Sequence, residues 1–357
     1  KKEYGQERRT RIEAEVEEIN YDKTAMIANE RVVVTVSRDG YLKRVSMRSY
    51  NAVGDQETAI KDGDVLIGTT ECDTLDTLLL FTSKGNYASI PVWQIEEGKW
   101  KDVGMHLNKV VRIDGEDKIK NAILIKSFDT YAWIVTVSSA GQIKKTPVNN
   151  WQVERNNKVM TAMNLGKGAE MINAFIVYSN QQILMVSKDG YSYRFAVEDI
   201  PATGVKSKGV KAMNLGKGDE LAWGCVMNAE DPAVLFMTNI GQMKRIHTEE
   251  IVFGNRPMKG NLICKRLKTN PSIITLAKAV SAGEELVFKD PERQVIRASE
   301  IPLKPRESGF GLPLVLKDGW DLYRGIDECR IIDIPTDADN EVHEDVERLS
   351  LFDEKEG

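Results

Sequence analysis

A seven-residue sequence, Ala-Met-Asn-Leu-Gly-Lys-Gly, occurs twice in this chain, at Ala162–Gly168 and at Ala212–Gly218. The two copies start 50 residues apart, and an identity of this length is improbable by chance in a chain of 357 residues. A period near 50 residues is typical of folds built from repeated structural units. The repeat therefore limits the fold more strongly than any single motif in the chain.

A looser pattern has the same period: an apolar run, a turn with glycine, and a short segment with basic residues. Spacings of 45, 56, 49 and 51 residues separate the turn glycines, which are Gly40, Gly85, Gly141, Gly190 and Gly241. A degraded sixth copy covers Leu286–Ala298, where Asp-Pro-Glu-Arg replaces the glycine turn. Arms rich in Val, Ile, Leu, Phe and Thr around such a turn predict a β-hairpin in each copy.

A further apolar segment follows most hairpins after a polar loop, and these segments are Ala122–Ile125, Ile172–Tyr178, Ala222–Met227 and Ile273–Val280. Each unit then holds roughly four strands. We therefore predict an all-β fold, a six-bladed, propeller-like disc built from repeats of about 50 residues.

The predicted organisation has a linker and first strand at 1–30, a repeat region at 31–334 and an acidic tail at 335–357. The blades are predicted at about 31–75, 76–128, 129–180, 181–230, 231–281 and 282–334. The linker is dense in Lys, Arg and Glu, and it reads either as a helix over Lys1–Glu18 or as a strand-forming segment from Arg11 to Ile19.

Composition excludes several classes of function. The four cysteines have no metal-binding spacing and fit a reducing cytosol. The chain has no run of 18 apolar residues, so no membrane span is expected. Gly166-Lys167-Gly168 lacks the upstream glycine and the following Ser or Thr of a phosphate-binding loop, so a turn is the better interpretation. We predict no catalytic residue, metal or cofactor in this chain.

Charge is divided unevenly along the chain. Residues 327–357 hold 12 acidic and 3 basic residues. Because the whole chain has a net charge of −5 and this stretch has −9, residues 1–326 are left with +4. The tail is expected to be a solvated end, and the alternative is a polyanion that competes with nucleic acid for the basic body.

Basic residues recur at one address after the turn. The fourth residue after the glycine, or its counterpart in the sixth copy, is Arg44, Lys145, Arg194, Arg245 and Arg297, and the third is Lys43, Lys144 and Lys244. The second copy, with Ala88 and Ser89, leaves a gap. Equivalent positions in a propeller form a circumferential band, which predicts phosphate contacts with duplex DNA that carry no sequence information. The alternative is that these residues protect strand edges and maintain solubility.

Inter-strand loops supply more candidates for DNA binding. They are Arg48, Arg155, Lys158, Lys206, Lys208, Lys211, Arg256, Lys259, Lys265 and Arg266, with Lys304 and Arg306 in the sixth unit and Lys167 and Lys217 as secondary candidates. Gly204 and Gly209 are predicted to let backbone N–H groups approach a phosphate. The alternative is that these are plain solvated loops.

These residues resemble a known family. An apolar strand followed by Gly-Tyr-Leu-Lys-Arg or Gly-Gln-Ile-Lys-Lys is similar to the C-terminal repeat of bacterial type IIA topoisomerase A subunits, and Tyr4–Ile12 resembles the segment that leads into that domain. The resemblance implies a β-pinwheel, in which neighbouring blades exchange a strand and a basic rim binds and bends DNA. Tyr50–Thr58 lacks the Gln-Arg-Arg-Gly-Gly box of the gyrase type, and the nearest remnant is Val205–Val210. The topoisomerase IV type is therefore the closer resemblance, and gyrase-type wrapping is the alternative.

The resemblance also implies partners for this chain. They are duplex DNA, the N-terminal breakage-reunion part of the same polypeptide, and the B subunit of topoisomerase IV in an A2B2 enzyme of the bacterial cytoplasm and nucleoid. Mg and ATP serve the whole enzyme, whose catalytic tyrosine and metal site lie elsewhere, so this chain alone is not expected to be an enzyme. A propeller that scaffolds proteins is the alternative of another class, and an exposed apolar patch on one disc face would favour it.

Overall fold

Each turn of the repeat closes a β-hairpin. The computed structural model describes residues 26–54, 56–265, 271–290, 292–313, 321–323 and 325–332. The hairpins are β1–β2 (Arg31–Ser37, Tyr41–Ser46), β4–β5 (Thr77–Thr82, Asn86–Pro91), β8–β9 (Trp133–Ser138, Gln142–Pro147), β12–β13 (Gln182–Ser187, Tyr191–Ala196), β16–β17 (Ala233–Thr238, Gln242–His247) and β20–β21 (Glu285–Asp290, Glu292–Arg297). All five turn glycines have φ between 73° and 90°, a conformation that favours glycine.

A third strand pairs antiparallel with the first arm of each hairpin. These inner strands are β3 (Leu66–Asp73), β7 (Ile119–Ile125), β11 (Met171–Val177), β15 (Leu221–Met227), β19 (Ile274–Val280) and β23 (Asp321–Leu322). From β3 to β19, each inner strand packs against the next one along the chain. The inner strands therefore surround the centre of the molecule, and the second arm of each hairpin lies toward the outside.

The outermost strand of a sheet comes from the following unit. These exchanged strands are β6 (Met105–His106), β10 (Met160–Thr161), β14 (Val210–Lys211), β18 (Asn261–Leu262) and β22 (Gly311–Pro313). Each follows the hairpin of one unit but pairs with the second arm of the preceding hairpin. We number the six resulting sheets 1 to 6 in chain order. The predicted all-β fold with strand exchange is confirmed, and within the described residues sheet 6 has three strands.

Apolar side chains fill the space between neighbouring sheets on both faces. On β4, Leu78 and Leu80 pack into the core shared with sheet 1, whereas Leu79 and Phe81 face the core shared with sheet 3. Since both faces of such a strand are buried, its sequence is continuously apolar and does not alternate. Trp151 and Tyr193 are among the largest fully buried side chains.

Short helical elements connect the strands. The α-helix Met47–Asn51 begins where the Ser46 hydroxyl accepts a hydrogen bond from the Ser49 N–H. The 3-10 helices are Val92–Gln94, Leu107–Lys109, Val148–Trp151, Val197–Asp199, Thr248–Glu250 and Ala298–Glu300. No helix in the part of the chain that the structure describes is long or apolar enough to cross a membrane.

The C-terminal segment runs across sheets 1, 2 and 3. The Tyr323 hydroxyl accepts a hydrogen bond of 2.7 Å from the Thr69 N–H, which joins the strand segment of sheet 6 to sheet 1. The last strand, β24 (Asp327–Cys329), then pairs in parallel with β7 of sheet 2, and the Ile332 carbonyl accepts from the Tyr131 N–H beside sheet 3. The predicted N-terminal helix and the acidic tail at 335–357 lie outside the described residues.

Candidate nucleic-acid interface

Three lysines of the predicted circumferential band are buried inside the molecule. Lys43, Lys144 and Lys244 are 1%, 0% and 0% exposed. Their ammonium groups donate hydrogen bonds to main-chain carbonyl oxygens instead of reaching solvent. A DNA phosphate cannot touch a fully buried ammonium, so the prediction that these three lysines bind DNA is wrong.

Most carbonyl partners of the buried lysines lie on segments that arrive from the next unit. Lys43 bonds to Trp100 O at 2.6 Å, Asp102 O at 2.5 Å and Ala59 O at 3.3 Å. Lys244 bonds to Arg306 O at 2.9 Å and Ser308 O at 2.7 Å. Lys144 bonds to Val205 O of the next unit and to Ala162 O of its own. In sheet 4 Tyr193 occupies the same address, and its hydroxyl donates to Ala212 O.

Aromatic rings cover the buried ammonium groups. The Nζ atoms of Lys43 and Lys144 lie 5.5 Å and 5.0 Å from the ring centroids of Trp100 and Trp151. Burial lowers the pKa of Lys144 to about 7, and it lowers the pKa of Lys43 and of Lys244 to about 8. These lysines therefore connect neighbouring units through hydrogen bonds, and their burial favours the neutral form of the amine.

The fourth residue after the turn has a similar structural role. Lys145 is buried and donates to Val197 O at 3.0 Å, and Arg245 is buried and donates to Ile301 O at 2.9 Å. Arg194 is half-buried and donates to Ile251 O at 3.1 Å. For Lys145 and Arg245 the predicted role in a free phosphate-binding band is wrong, because each buried side chain holds the 3-10 turn of the next unit. The role of Arg194 in DNA binding stays a prediction, because its side chain is only partly buried. Arg44 is also half-buried, and its N–H bonds to Glu96 O of the next unit.

The sixth copy is aligned differently from the prediction. Arg297 pairs with Glu285 in β20–β21, as His247 pairs with Ala233 in β16–β17. Arg297 and His247 each directly precede a 3-10 helix, so they are equivalent positions. The true counterpart of Arg245 is thus Val295. Arg297 is exposed but belongs to a different address, so it does not extend the band.

Most of the exposed basic residues that were predicted to bind DNA lie on the connections that lead from each 3-10 turn to the exchanged strand. We call these connections rim segments 1 to 5, and they cover residues 96–106, 152–161, 201–211, 252–265 and 302–313. Rim segment 4 includes the three residues that follow its exchanged strand, and the other segments end with that strand. The rim segments lie along the outer edges of the sheets, because they run beside the second hairpin arm.

Charge differs sharply between the rim segments. Rim segment 3 has exposed Lys206, Lys208 and Lys211 and no acidic residue. Rim segment 4 has Arg256, Lys259 and Lys265, also without an acidic residue. Rim segment 2 adds exposed Arg155 and Lys158 beside one glutamate. In rim segment 1, by contrast, three acidic residues outnumber two lysines. We call rim segments 2 to 4 the basic sector.

The repeated heptapeptide joins the parts of the basic sector. The Asn164 N–H bonds to Ser207 O at 3.2 Å, and the equivalent Asn214 N–H bonds to Met258 O at 2.9 Å. At the start of each copy, the N–H groups of Ala162 and Ala212 donate to the carbonyl oxygens of the turn glycines Gly85 and Gly141, both at 2.8 Å. The prediction that Gly166-Lys167-Gly168 forms a turn is confirmed, because the Ala169 N–H bonds to Gly166 O at 3.1 Å. The two copies of the heptapeptide connect rim segments 2, 3 and 4 in sequence.

Within the basic sector, some basic side chains are held by contacts with the protein. Arg256 is half-buried, because Nε donates to Asp199 O at 2.8 Å and Nη1 to Lys211 O at 3.2 Å. The Lys259 ammonium lies 4.1 Å from the Tyr191 ring centroid. Gly209 has a packing role, since a Cβ there would lie 2.3 Å from Ile143 O, whereas Gly204 has open space around it.

Arg48 lies apart from this surface. Arg48 is exposed on the α-helix Met47–Asn51 of sheet 1, away from rim segments 2 to 4. Arg266 lies outside the described residues. Sequence reasoning missed the difference between buried and exposed lysines. The available signal was position, because the buried ones lie inside strands and the exposed ones lie among glycines in loops.

Comparison with known proteins identifies relatives of this architecture. The family model of the DNA gyrase C-terminal domain, a β-propeller, matches residues 31–54, 76–126, 132–177, 181–223 and 233–270, more than half of the chain. The A subunit of DNA topoisomerase 4 from Bacillus subtilis (strain 168) is 34% identical over 310 residues, which cover 86% of this chain and 38% of the relative. The A subunit from Staphylococcus aureus (strain MRSA252) is 34% identical over 281 residues, 79% of this chain and 35% of the relative.

Solved structures agree with these sequence matches. The crystal structure of the C-terminal domain of DNA topoisomerase IV superposes with a TM-score of 0.75 at 32% identity, over 81% of this chain and 90% of that one. The DNA gyrase A C-terminal domain superposes with a TM-score of 0.64 at 20% identity, over 83% of this chain and 98% of that one, which is a likeness of fold. This chain spans less than two-fifths of the length of the two full-length relatives named above.

Proposed function

This chain belongs to the family of DNA gyrase C-terminal β-propeller domains, and from that premise we propose that it binds duplex DNA along its basic sector without reading the base sequence. The observation that carries the proposal is the basic sector itself. Rim segments 3 and 4 are adjacent, hold six basic residues and contain no acidic residue.

Phosphate contacts suit this surface better than contacts with bases. Lys206, Lys208 and Lys211 are long, exposed side chains on a loop with two glycines, so their charges can follow a curved phosphate backbone. Reading bases in the major groove requires a projecting helix or β-ribbon. Among the described residues the α-helix has only five residues, Met47–Asn51, and it lies on sheet 1.

Salt dependence tests the proposal. Labelled duplexes of two unrelated sequences would be titrated with the chain between 50 and 300 mM salt. With about five phosphates neutralised, the slope of log K against log salt should be roughly −4 to −5, and it should be the same for both sequences. No binding at 50 mM salt, an affinity indifferent to salt, or a large preference for one sequence would contradict the proposal.

In the whole protein we propose that this domain serves as the C-terminal part of the A subunit of a topoisomerase IV. The proposal is supported by relatives that bear that name and by the topoisomerase IV domain at 32% identity. There it would help to select the DNA crossing that is transported during decatenation and relaxation of supercoils. Its partners would be the breakage-reunion part of the same polypeptide and the B subunit, in the cytoplasm of a bacterium, with Mg and ATP used outside this chain.

Strong gyrase-type wrapping is the competing proposal. A duplex that wraps the whole circumference needs a continuous basic rim, but rim segment 1 is acidic and residues 50–58 lack the basic box. Nicked circles would be ligated with the chain bound, and the linking number would then be measured. A small or zero shift favours the topoisomerase IV type, and a large shift favours the gyrase type.

A further inference from the structure

One address on the rim segments has large apolar side chains that face solvent. The residue that bridges in parallel to the fourth residue after the turn is Phe253 on rim segment 4 and Leu303 on rim segment 5. Their side chains are 50% and 42% exposed. At the same address rim segments 1 and 3 have Glu97 and Ala202. Large apolar residues thus occur at this address on two consecutive rim segments.

The backbone around Phe253 is held on both sides. The Arg194 N–H donates to Val252 O at 2.9 Å, and the Gly254 N–H donates to Arg194 O at 3.0 Å. Under the ring, the Arg194 guanidinium lies 5.5 Å from the Phe253 centroid and is itself fixed by hydrogen bonds to Ile251 O and the Gln182 side chain. The Phe253 ring therefore packs on a side chain that is held by hydrogen bonds, and half of the ring's surface is exposed to solvent.

Leu303 has the same attachment one sheet further along. The Arg245 N–H donates to Pro302 O, and the Lys304 N–H donates to Arg245 O, both at 2.9 Å. Single exposed apolar residues are common on protein surfaces and need no explanation. Here, however, two of them share one address, one backbone attachment and a segment with basic residues. These are Arg256, Lys259 and Lys265 on rim segment 4, and Lys304 and Arg306, the latter paired with Glu307, on rim segment 5.

We propose that Phe253 and Leu303 are apolar wedges that contact the base steps of a bound duplex in its minor groove and fix its bend. Many proteins that bend DNA through its minor groove combine phosphate contacts with an apolar side chain that partly unstacks a base step. The cations would hold the backbone, and the two wedges would set where the helix axis turns. This inference rests on the proposed DNA binding. It extends the path of the duplex from the basic sector to rim segment 5 and adds the residues that determine DNA shape.

The test measures bending separately from affinity. A duplex of about 40 base pairs with a dye at each end reports the bend by energy transfer. The double variant Phe253→Ala/Leu303→Ala should lose more than half of the bend signal and three- to tenfold in affinity. Its salt slope should stay unchanged, because no phosphate contact is removed.

Leu75→Ala is the matched control. Leu75 is also 42% exposed, but it lies on the turn that connects β3 of sheet 1 to β4 of sheet 2. It should leave bend, affinity and slope unchanged. A second measurement covers the case in which the double variant is unstable. The single variant Phe253→Trp adds one indole, and its difference spectrum against the parent should show quenching when DNA binds.

The possible failures are distinguishable. If the parent chain does not bind duplex at 50 mM salt, the proposed function itself fails. If it binds without bending the duplex, or a folded double variant bends DNA as the parent does, the wedge proposal is overturned. An unchanged indole spectrum of the Phe253→Trp variant at saturating DNA would overturn it as well.

Discussion

The ammonium group of Lys244 donates a hydrogen bond of 2.7 Å to the carbonyl oxygen of Ser308, which belongs to the next structural unit. A second bond, to Arg306 O at 2.9 Å, holds the same segment. Lys43 and Lys144 make equivalent bonds in sheets 1 and 3. A basic residue that the sequence pattern associates with DNA therefore holds one unit to the next, and the following predictions test that distinction.

Replacing Lys244 with Met should destabilise the fold. Methionine keeps much of the side-chain volume but leaves the carbonyls of Arg306 and Ser308 buried without a donor. Each unsatisfied group costs on the order of 1–3 kcal/mol, so we expect the unfolding free energy to fall by about 2 kcal/mol or more. Urea unfolding should show a lower midpoint with an unchanged m-value.

The control for this variant is Lys188→Met. Lys188 is exposed and pairs with Glu220 at 2.6 Å, and surface pairs of this kind contribute roughly 0–1 kcal/mol. Both variants should bind duplex DNA as the parent does where they are folded. Equal urea midpoints for the two variants would contradict a structural role for Lys244. Weaker DNA binding by folded Lys244→Met alone would instead support the predicted contact between Lys244 and DNA.

Stability should rise with pH between about 7 and 8.5. Burial lowers the pKa of Lys144 to about 7, whereas an unfolded lysine has a pKa near 10.4. Within this window the unfolded chain therefore holds more protons than the folded chain, and the unfolding free energy increases with pH. Lys144 can lose a proton and still donate to both of its carbonyl partners, because a neutral amine retains two N–H groups.

Thiols oppose the rise at its upper end. Burial raises the pKa of Cys72 and of Cys225 to about 12, so above roughly pH 8.5 the unfolded chain loses thiol protons that the folded chain keeps. The rise in stability therefore flattens there, since Lys43 and Lys244, with pKa values of about 8, still oppose the thiols. Urea unfolding at half-unit pH steps measures the profile, and Lys144→Met should reduce the rise by up to about 1.4 kcal/mol per pH unit. The same rise in parent and variant would refute the assignment.

Local signals explain why the hairpins could be predicted from sequence. A turn residue such as Gly85, with φ of 79°, and apolar arms on either side are chemistry that one short segment carries by itself. The exchanged strands could not be found in this way. Met160–Thr161 has only two residues and pairs with Asn86 and Tyr87, about 75 positions earlier in the chain, so no local pattern specifies its partner.

Buried lysines escaped prediction because the sheets are covered on both faces. In a sheet with one solvated face, Leu42 and Lys43 would point to opposite environments, and the lysine would be the exposed one. Here both are buried. The loop cations were easier to place, because Lys206 and Lys208 lie between Gly204 and Gly209, and glycine-rich segments of this kind are usually surface loops.

Reversing charge in rim segment 3 should weaken DNA binding for every sequence. Lys206→Glu/Lys208→Glu/Lys211→Glu removes three exposed cations, so the salt slope should become less negative by about 3, with a loss of at least tenfold in affinity at 100 mM salt. The matched control is Lys99→Glu/Lys101→Glu on the acidic rim segment 1, with an expected change of less than threefold. Fluorescence anisotropy measures both. Comparable losses for the two variants would show that binding is not confined to the basic sector.

Two glycines of the same loop should respond in opposite ways to alanine. Gly209 has φ of +80°, and a Cβ there would lie 2.3 Å from Ile143 O, so Gly209→Ala should cost about 3 kcal/mol or more of stability through strain and displacement of the exchanged strand. Gly204→Ala meets no atom within 4 Å and should change stability by roughly 0.5 kcal/mol or less. Thermal and urea unfolding measure both effects. If Gly204 instead lets a backbone N–H approach a phosphate, Gly204→Ala would weaken DNA binding in a fully folded chain, and the packing interpretation of this loop would be incomplete.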